Sequence, residues 1–311
     1  MRGAIPWNLK LSASTRGVCM QGKIIRGVAG FYYVNVEGEG VFECKAKGIF
    51  RYRKVKPLPG DNVGLTVISR EAMTGNIDEI YGRDSELVRP AVANADQAVI
   101  VFAAAWPAPN LNLLDRFLVL MQEQGIKTLV CFNKKDQVGE AEHEELARIY
   151  AGSGCKVLFL SAKYAQGTEL LKEQLSGKTT VLAGPSGVGK SSIINLLYPQ
   201  ANMQTGDISG KIGRGKHTTR HSELFYVDEG TYLFDTPGFS SLYLGEMEKE
   251  ELKGYYPEFA DYMGQCRYLS CLHDKEPGCA VKEAVLSGAI SKERYGNYLL
   301  LLNELRNRKK Y

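Results

Sequence analysis

The stretch GPSGVGKS, residues 184–191, decides the fold of this chain of 311 residues. It matches the pattern G-x-x-x-x-G-K-[ST] and stands between a predicted buried strand, TTVLAG, and an apolar helix, SSIINLLY. A glycine-rich loop in this setting forms a phosphate cradle from its backbone N–H groups and the helix N-terminus. Lys190 then reaches the terminal phosphates, and Ser191 offers its hydroxyl to Mg²⁺. The motif predicts a nucleotide-binding α/β domain and does not by itself separate ATP from GTP.

Strands and helices alternate on the N-terminal side of this loop. The apolar runs QAVIVFAA, KTLVCFN and KVLFLS are predicted strands, and the amphipathic runs between them are predicted helices. This β–α–β–α rhythm predicts a mostly parallel sheet covered on both faces. The segments ELFYVD and TYLFD predict a hairpin after the loop.

Two further motifs follow predicted strands and indicate guanine. NKKD, residues 133–136, comes after KTLVCF, and SAK, residues 161–163, ends the next strand. The Asp136 carboxylate can accept from both N–H groups on the edge of guanine, whereas adenine would leave it unpaired. We expect Lys134 to lie over the base and the SAK backbone to support it. The predicted base-binding residues are Asn133, Lys134, Asp136, Ser161, Ala162 and Lys163.

The γ-phosphate side is predicted from DTPG, residues 235–238, after the apolar strand TYLF. Asp235 would hold Mg²⁺ through water, as Ser191 does directly, and the N–H of Gly238 would meet the γ-phosphate. The preceding GRGKHTTR, residues 213–220, is a polar, glycine-rich loop of the kind that orders around GTP. Thr218 and Thr219 are both candidates for the threonine that closes on Mg²⁺, and spacing does not choose between them.

Phe239 follows DTPG, at the position where many GTPases carry a glutamine that orients water. A phenyl ring cannot orient water, so another group does this or hydrolysis is very slow. His217, beside the threonine pair, is the candidate imidazole, with an exposed loop histidine as the alternative. His217 and Lys190 are therefore the predicted catalytic residues.

The order of the motifs differs from that of an ordinary GTPase, because NKKD and SAK precede the phosphate loop. The same set of elements cut at a different surface loop would give this order, and folded domains tolerate such cuts. The sequence therefore predicts a circularly permuted GTPase domain.

A compact cysteine and histidine cluster predicts a metal site near the C-terminus. The pattern C-x₄-C-x-H-x₅-C offers three thiolates and one imidazole, which suit one structural Zn²⁺ with no open position. The predicted ligands are Cys266, Cys271, His273 and Cys279. The remaining cysteines are scattered, and with no export signal we expect a reducing cytoplasm without disulfides.

The charge is unevenly distributed. Residues 20–70 carry five more basic than acidic residues, residues 71–263 eight more acidic than basic, and residues 264–311 four more basic than acidic. The first segment also holds short β-like runs about ten residues apart, typical of a small OB-type barrel. Basic ends around an acidic middle predict flanking modules that meet a polyanion. The candidate RNA-contacting loop comprises Arg51, Tyr52, Arg53, Lys54 and Lys56.

These features together resemble the RsgA (YjeQ/YloQ) family of circularly permuted bacterial ribosome-assembly GTPases. The resemblance covers residues 20–311 and rests on the barrel, the motif order and the zinc pattern. It implies GTP hydrolysis stimulated by the small ribosomal subunit, a role in late maturation of that subunit, and barrel and zinc modules that bind the ribosome. It implies the same site residues, with His217 as the hydrolytic residue. The phosphate-binding residues that the resemblance implies are Gly184, Pro185, Ser186, Gly187, Val188, Gly189, Lys190, Ser191 and Ser192.

We therefore predict three domains: an all-β OB-type barrel over 20–70, a circularly permuted α/β P-loop GTPase domain over 71–263, and a zinc-binding module with helices over 264–311. Residues 1–19 are interpreted as a tail outside the fold, since Met20 is a candidate start. The longest apolar run, AVIVFAAAW, is too short to span a membrane.

The expected protein is a cytoplasmic monomer that binds GTP or GDP with Mg²⁺, and the small ribosomal subunit with its rRNA. It would hydrolyse GTP to GDP and phosphate. One alternative is a nucleotide-gated RNA-binding protein with little intrinsic turnover, which Phe239 favours. Another is a GTPase that regulates translation or RNA processing without the ribosome. An ATPase is disfavoured by NKKD.

Overall fold

The N-terminal strands close into a five-stranded barrel. A computed structural model describes residues 19–87, 91–201, 223–228, 230–235, 244 and 247–308. The barrel strands are β1 (Cys19–Val28), β2 (Phe31–Val36), β3 (Gly40–Ala46), β4 (Asn62–Ser69) and β5 (Thr74–Ile80), and one helical turn, α1 (Ile49–Tyr52), separates β3 from β4. The strand order is β1-β2-β3-β5-β4, with β4 hydrogen-bonded back to β1. The predicted OB-type barrel is confirmed.

The barrel extends further than the sequence predicts. Its fifth strand, TGNIDEI, lies beyond residue 70 and pairs with β3 in parallel and β4 antiparallel. Only Ile77 of this strand is a buried apolar residue, so its hydrophobic signal is weak. At the other end, Cys19 belongs to β1 and pairs with Thr66, so the barrel begins one residue earlier than predicted.

A six-stranded sheet forms the centre of the molecule. A short pair, β6 (Glu86–Leu87) and β7 (Val92–Ala93), leads into it. Its strands are β8 (Gln97–Ala103), β9 (Lys127–Asn133), β10 (Lys156–Phe159), β11 (Thr179–Ala183), β12 (Glu223–Asp228) and β13 (Thr231–Asp235). The order is β10-β9-β8-β11-β13-β12, and β12 alone runs antiparallel to its neighbour. The predicted parallel sheet with one hairpin is confirmed.

Helices cover both faces of this sheet, because successive side chains of each strand point to opposite sides. Ile100 and Phe102 of β8 pack toward α2 (Leu111–Glu123) and α3 (Glu140–Tyr150). Val99 and Val101 of the same strand pack toward α4 (Thr168–Leu175) and α5 (Lys190–Leu197). The nearly continuous apolar sequence of β8 follows from burial on both faces.

The C-terminal segment packs on the first of these faces. Its helices are α6 (Ala260–Met263), α7 (Ala280–Leu286) and α8 (Lys292–Asn307). Tyr298, Leu301 and Leu302 of α8 join the same apolar core as Leu114 and Phe117 of α2. The C-terminal segment therefore shares the core of the central sheet. Among the helices that the structure describes, none is both long and apolar enough to cross a membrane.

The barrel meets the edge hairpin of the sheet. The Asn35 amide of β2 donates to the Tyr232 hydroxyl of β13 at 3.1 Å, and both residues are buried. Arg26 of β1 pairs with Glu223 of β12 at 3.4 Å. Asn35 lies on the outer face of the barrel, and its burial is explained by this contact.

Candidate functional site

The predicted nucleotide motifs meet at one edge of the central sheet. NKKD follows β9, SAK follows β10, and the phosphate loop follows β11 and leads into α5. In an open parallel sheet, ligands bind outside the carboxyl ends of the strands. Motifs that lie far apart in the chain therefore face a common cleft, although their order is permuted.

The Asn133 side chain ties the three loops together. Its Nδ2 donates to the Val188 carbonyl at 2.9 Å, and its Oδ1 accepts from the Ala162 N–H at 3.0 Å. Asn133 is 2% exposed, so these are bonds in a buried setting. The Asn133 amide thus connects residues 184–191 and the SAK loop to the end of β9.

Glycines allow the phosphate loop to approach its neighbours closely. A Cβ on Gly184 would lie 2.1 Å from the Val101 carbonyl oxygen, and one on Gly189 would lie 2.2 Å from Asn133 Nδ2. Both residues also have positive φ angles, +143° and +96°. Only glycine satisfies the backbone and the space at these positions.

Two lysines are bound to loop carbonyls in the site. Lys190 Nζ donates to the carbonyls of Gly184 and Pro185 at 2.7 and 2.6 Å. Lys134 Nζ donates to the carbonyls of Gly187 and Trp106 at 2.9 and 2.7 Å. Both ammonium groups therefore lie beside the loop that is predicted to bind phosphates.

The carboxylate that is predicted to read the base, Asp136, is exposed. Asp136 is solvent-exposed in the short helical turn after β9, and the Lys135 N–H donates to the Leu160 carbonyl at 3.0 Å, which fixes that turn. Ser161 is fully buried, and its Oγ has no hydrogen-bond partner among the described residues.

The structure covers only part of the γ-phosphate side. Asp235 ends β13 at the same sheet edge as the phosphate loop, since it pairs with Leu182 of β11. Ser191 lies in the first turn of α5. The predicted His217, Thr218, Thr219 and Gly238 lie outside the described residues, as does Phe239.

The four predicted metal ligands converge near the C-terminus. The ligand atoms of Cys266, Cys271, His273 and Cys279 all lie within 4.8 Å of one another. Cys266 Sγ is 3.6 Å from His273 Nδ1 and 4.0 Å from Cys279 Sγ, and His273 Nδ1 is 3.4 Å from Cys279 Sγ. This cluster can hold a metal ion through Nδ1 of the imidazole.

Neighbouring side chains hold the backbone of the cluster from outside. Lys253 donates to the Cys271 carbonyl at 3.0 Å, Tyr298 to the Leu272 carbonyl at 2.6 Å, and Tyr295 to the His273 carbonyl at 2.7 Å. The Glu276 carboxylate accepts from the N–H groups of Leu272 and Asp274, both at 3.0 Å. Such outer contacts orient metal ligands.

Burial shifts the pKa values of Cys271 and His273. It raises the pKa of the Cys271 thiol to about 12 and lowers the pKa of His273 to about 4, the latter also because of the nearby Lys253 charge. The imidazole is therefore neutral at pH 7 and able to bind a metal ion, whereas the Cys271 thiol must release its proton when a metal ion binds.

Comparison with known proteins decides the family. The RsgA GTPase model matches residues 80–245, and the RsgA N-terminal domain model matches residues 21–74. The chain belongs to the RsgA GTPase family. A relative from Agathobacter rectalis named small ribosomal subunit biogenesis GTPase RsgA is 52% identical over 302 residues, covering 94% of this chain and 100% of the relative.

Solved structures agree with this membership of the RsgA family. YjeQ from Thermotoga maritima is 36% identical with a TM-score of 0.79, covering 94% of this chain and 100% of that one. YloQ, a circularly permuted GTPase, is 36% identical with a TM-score of 0.75, covering 97% and 100%. The predicted RsgA family, the circularly permuted fold and the assignment as a GTP hydrolase are confirmed.

The candidate RNA-contacting residues occupy one end of the barrel. Arg51 and Tyr52 lie in α1, so this part is a helical turn rather than the predicted loop. Tyr52 is 89% exposed, and Arg53, Lys54 and Lys56 are exposed. Arg306 of α8 forms an ion pair with Asp274, the residue after the predicted metal ligand His273.

Sequence reasoning missed two residues that contact the predicted nucleotide-binding loops. The Trp106 carbonyl receives Lys134, and Gln166 closes the SAK loop through paired backbone bonds with Ser161 at 2.9 and 3.1 Å. Both act through backbone atoms that every residue carries, so no side-chain pattern in the sequence could have found them.

Proposed function

We propose that this RsgA-family chain hydrolyses GTP to GDP and phosphate while acting in late maturation of the small ribosomal subunit. The observation that carries the proposal is the meeting of the NKKD, SAK and phosphate loops through the Asn133 amide, on a chain whose relatives carry that function in their names. An rRNA partner, a monomeric state and a cytoplasmic location belong to the same proposal.

Guanine is bound between the NKKD and SAK loops in this proposal. Asp136 accepts the two N–H groups of the base edge, and Lys134 leaves the Gly187 carbonyl to lie over the ring. The N–H groups of residues 184–192 and the N-terminus of α5 bind the phosphates. Lys190 turns from the carbonyls of Gly184 and Pro185 to the terminal phosphates.

Hydrolysis needs charge stabilisation and an oriented water molecule. Ser191 and Asp235 would hold Mg²⁺, which neutralises charge on the phosphates when bound. We assign water positioning to His217 and closure on the metal to Thr218 or Thr219. The barrel and the C-terminal module would bind the small subunit, and the bound subunit would align His217. Hydrolysis of GTP would then release the protein from the subunit.

Zinc is the metal that we propose for the Cys266, Cys271, His273 and Cys279 cluster. Tetrahedral bonds of about 2.3 Å to sulfur and about 2.0 Å to nitrogen place neighbouring ligand atoms about 3.5–3.8 Å apart. The separations of 3.4, 3.6 and 4.0 Å among Cys266, His273 and Cys279 are near these values, and the ligand atoms of all four residues lie within 4.8 Å of one another. With four protein ligands, the role is structural.

Replacing Cys271 by serine should remove the metal. We expect one zinc per wild-type chain and an affinity lower by about a hundredfold or more in Cys271→Ser, since losing a ligand costs more than losing an outer contact. Elemental analysis and competition with a chromophoric chelator measure this. Cys19→Ser, at an exposed cysteine of β1, is the matched control and should keep its zinc. Full zinc binding by Cys271→Ser would contradict the assignment.

Steady-state GTP hydrolysis with purified small ribosomal subunits tests the proposed function. We expect a strong rise with small subunits and none with large subunits, and we expect His217→Ala to abolish the rise while leaving GTP affinity unchanged. No rise with either subunit, combined with tight GTP binding, would contradict the proposal. That outcome would favour a nucleotide-gated RNA-binding protein, the alternative to which Phe239 points.

A further inference from the structure

The barrel covers one edge of the central sheet. β12 stands at the end of the strand order of that sheet, and β1 of the barrel packs against it. Edge strands carry backbone groups that invite contact with another element. The barrel therefore touches the β12–β13 hairpin, whose last residue is Asp235, the predicted partner of Mg²⁺.

A β-bulge in β1 directs two side chains toward this hairpin. The pairing of β1 with β2 shifts register between Ile24 and Arg26, which makes Ile25 the extra residue. Bulges re-aim the side chains beside them. Ile25 packs against the core of the central sheet, and the Arg26 guanidinium pairs with the Glu223 carboxylate of β12 at 3.4 Å. The contact between Arg26 and β12 is therefore built into the backbone of the barrel.

Further contacts fix the barrel against the hairpin. The Asn35 amide donates to the Tyr232 hydroxyl at 3.1 Å, and both residues are buried. The Arg26 guanidinium lies 4.2 Å from the centre of the Tyr33 ring, so the barrel holds it as well as Glu223 does. Arg26 thus has a defined place beside the first residue of β12.

Glu223 lies directly opposite Asp235 in the hairpin. The register of β12 with β13 pairs these two residues. Side chains that face each other in this way share one face of the sheet, with their Cβ atoms about 4.5–5.5 Å apart. Like charges in such a pair repel, so the charge of Glu223 matters for the carboxylate of Asp235.

Both carboxylates lie on the side of the sheet that α5 covers. Leu233, two positions before Asp235, packs in the same core as Ile194 of α5. Because strand side chains alternate, Asp235 and its partner Glu223 face that side as well. Ser191, in the first turn of α5, and Asp235 offer the oxygen donors that Mg²⁺ prefers. Glu223 is therefore a second negative charge on the side of the sheet where we expect the metal.

We propose that Arg26 neutralises Glu223 beside Asp235 and so sets how tightly the GTP-bound protein holds Mg²⁺. While the pair is intact, it adds no net charge next to the metal. A Glu223 carboxylate without Arg26 would attract Mg²⁺ and repel the nucleotide phosphates, because the Coulomb energy changes sign with the charge of the ligand. The inference rests on the Mg²⁺ ligands of the proposed function and deepens it, because it names a barrel residue that adjusts the metal affinity.

Two titrations on the full-length protein test this inference. In the first, Mg²⁺ is added to protein saturated with a fluorescent, non-hydrolysable GTP analogue, and the Mg²⁺ concentration at half of the fluorescence change is measured. In the second, the affinity for the same analogue is measured in EDTA, without Mg²⁺. For Arg26→Gln we expect Mg²⁺ to bind about two- to fivefold more tightly and the analogue in EDTA to bind about two- to fivefold more weakly, the size of effect that a partly exposed charge has. Damage to the nucleotide site would weaken both, so the opposite signs separate an effect of charge from a loss of structure.

Companion variants identify the charges involved. Glu223→Gln removes the other charge of the pair and should give the opposite shifts, with weaker Mg²⁺ binding and tighter binding in EDTA. The double variant Arg26→Gln with Glu223→Gln should return close to the wild type. Arg70→Gln is the matched control, because it breaks an ion pair with Glu39 inside the barrel, at 3.3 Å, and changes the net charge by the same amount. It should shift neither titration.

An unchanged Mg²⁺ titration in Arg26→Gln would overturn the inference, and so would weaker binding in both titrations. A shift that persists in the double variant would also overturn it, because Glu223 would then have no part in the effect. Failure of the proposed function would look different: Asp235→Asn would keep the wild-type Mg²⁺ requirement, or small subunits would leave hydrolysis unchanged. Neither of those results depends on Arg26.

Discussion

Asp136→Asn should lower the affinity for GTP by about a hundredfold to ten-thousandfold. The reason is that two hydrogen bonds to a charged acceptor are lost, each of about 1.5–3 kcal/mol. Asp136 is exposed in a turn anchored by the Lys135 N–H, so an isosteric amide should leave the fold intact. Equilibrium titration with fluorescent GTP and GDP analogues measures the loss.

Xanthosine triphosphate supplies a gain-of-function control for the same variant. Xanthine carries a carbonyl oxygen where guanine carries an amino group, so the amide introduced at position 136 can donate to it, while the wild-type carboxylate repels it. We expect the variant to prefer the xanthine nucleotide. Asp228→Asn, at an exposed carboxylate of β12 far from the carboxyl edge of the sheet, should bind GTP as the wild type does. An unaltered preference of Asp136→Asn for GTP would refute our assignment of the base site.

Arg294→Met should destabilise the fold by about 3–5 kcal/mol, since it leaves two buried carboxylates without a counter-charge. Arg294 is 2% exposed, and its guanidinium pairs with Asp115 of α2 and with Glu258, at 3.0 Å from Nη2 to Oε2 for the latter. Asn297 donates to the second oxygen of Asp115 at 2.6 Å. Urea unfolding followed by circular dichroism gives the free energy of unfolding.

The loss should depend on pH in a defined direction. Burial raises the pKa of Asp115 to about 6 even beside Arg294, and removing the arginine raises it further. In the variant, the folded state therefore binds a proton that the unfolded state has released. The variant's stability should fall as pH rises above the ordinary range of an aspartate, and its deficit should shrink in acid.

Two companion variants identify the cause. Adding Asp115→Asn to Arg294→Met removes one stranded charge and should recover part of the stability. Arg116→Met breaks a pair with Glu304, which is 43% exposed and stays hydrated, so about 1 kcal/mol or less should be lost. A deficit for Arg294→Met no larger than that of Arg116→Met would show that the buried network contributes little.

The buried network of Arg294, Asp115 and Glu258 also joins the C-terminal helix α8 to the central domain. Arg294 lies 4.9 Å from the Tyr256 ring and 5.4 Å from the Tyr150 ring, so one side chain of α8 contacts groups from three other segments. Apart from Tyr256 and Glu258, which are two positions apart, these residues are far from one another in the sequence. Their charges could be counted from the sequence, but their pairing could not be predicted from it.

Local chemistry determined much of this protein from the sequence alone. A phosphate loop needs its glycines and its lysine close together in the sequence. The predicted metal ligands are also closely spaced. Both motifs can therefore be recognised in a short stretch of sequence. The strands of the sheet were predicted because burial on both faces makes them continuously apolar. Strand β5 was missed because Ile77 is its only buried apolar residue, so its sequence carries little hydrophobic pattern.

Contacts between distant segments were decided only by the tertiary structure. The sequence predicted Asn133 as a base-binding residue. In the structure its buried side-chain amide forms hydrogen bonds with Val188 and Ala162, which lie 55 and 29 residues away in the sequence. How the elements pack also decides the pairing of Arg294 with Asp115 and the contact of Asn35 with Tyr232. Periodicity and spacing describe which face of an element is buried, but only packing fixes which side chain of another element that face meets.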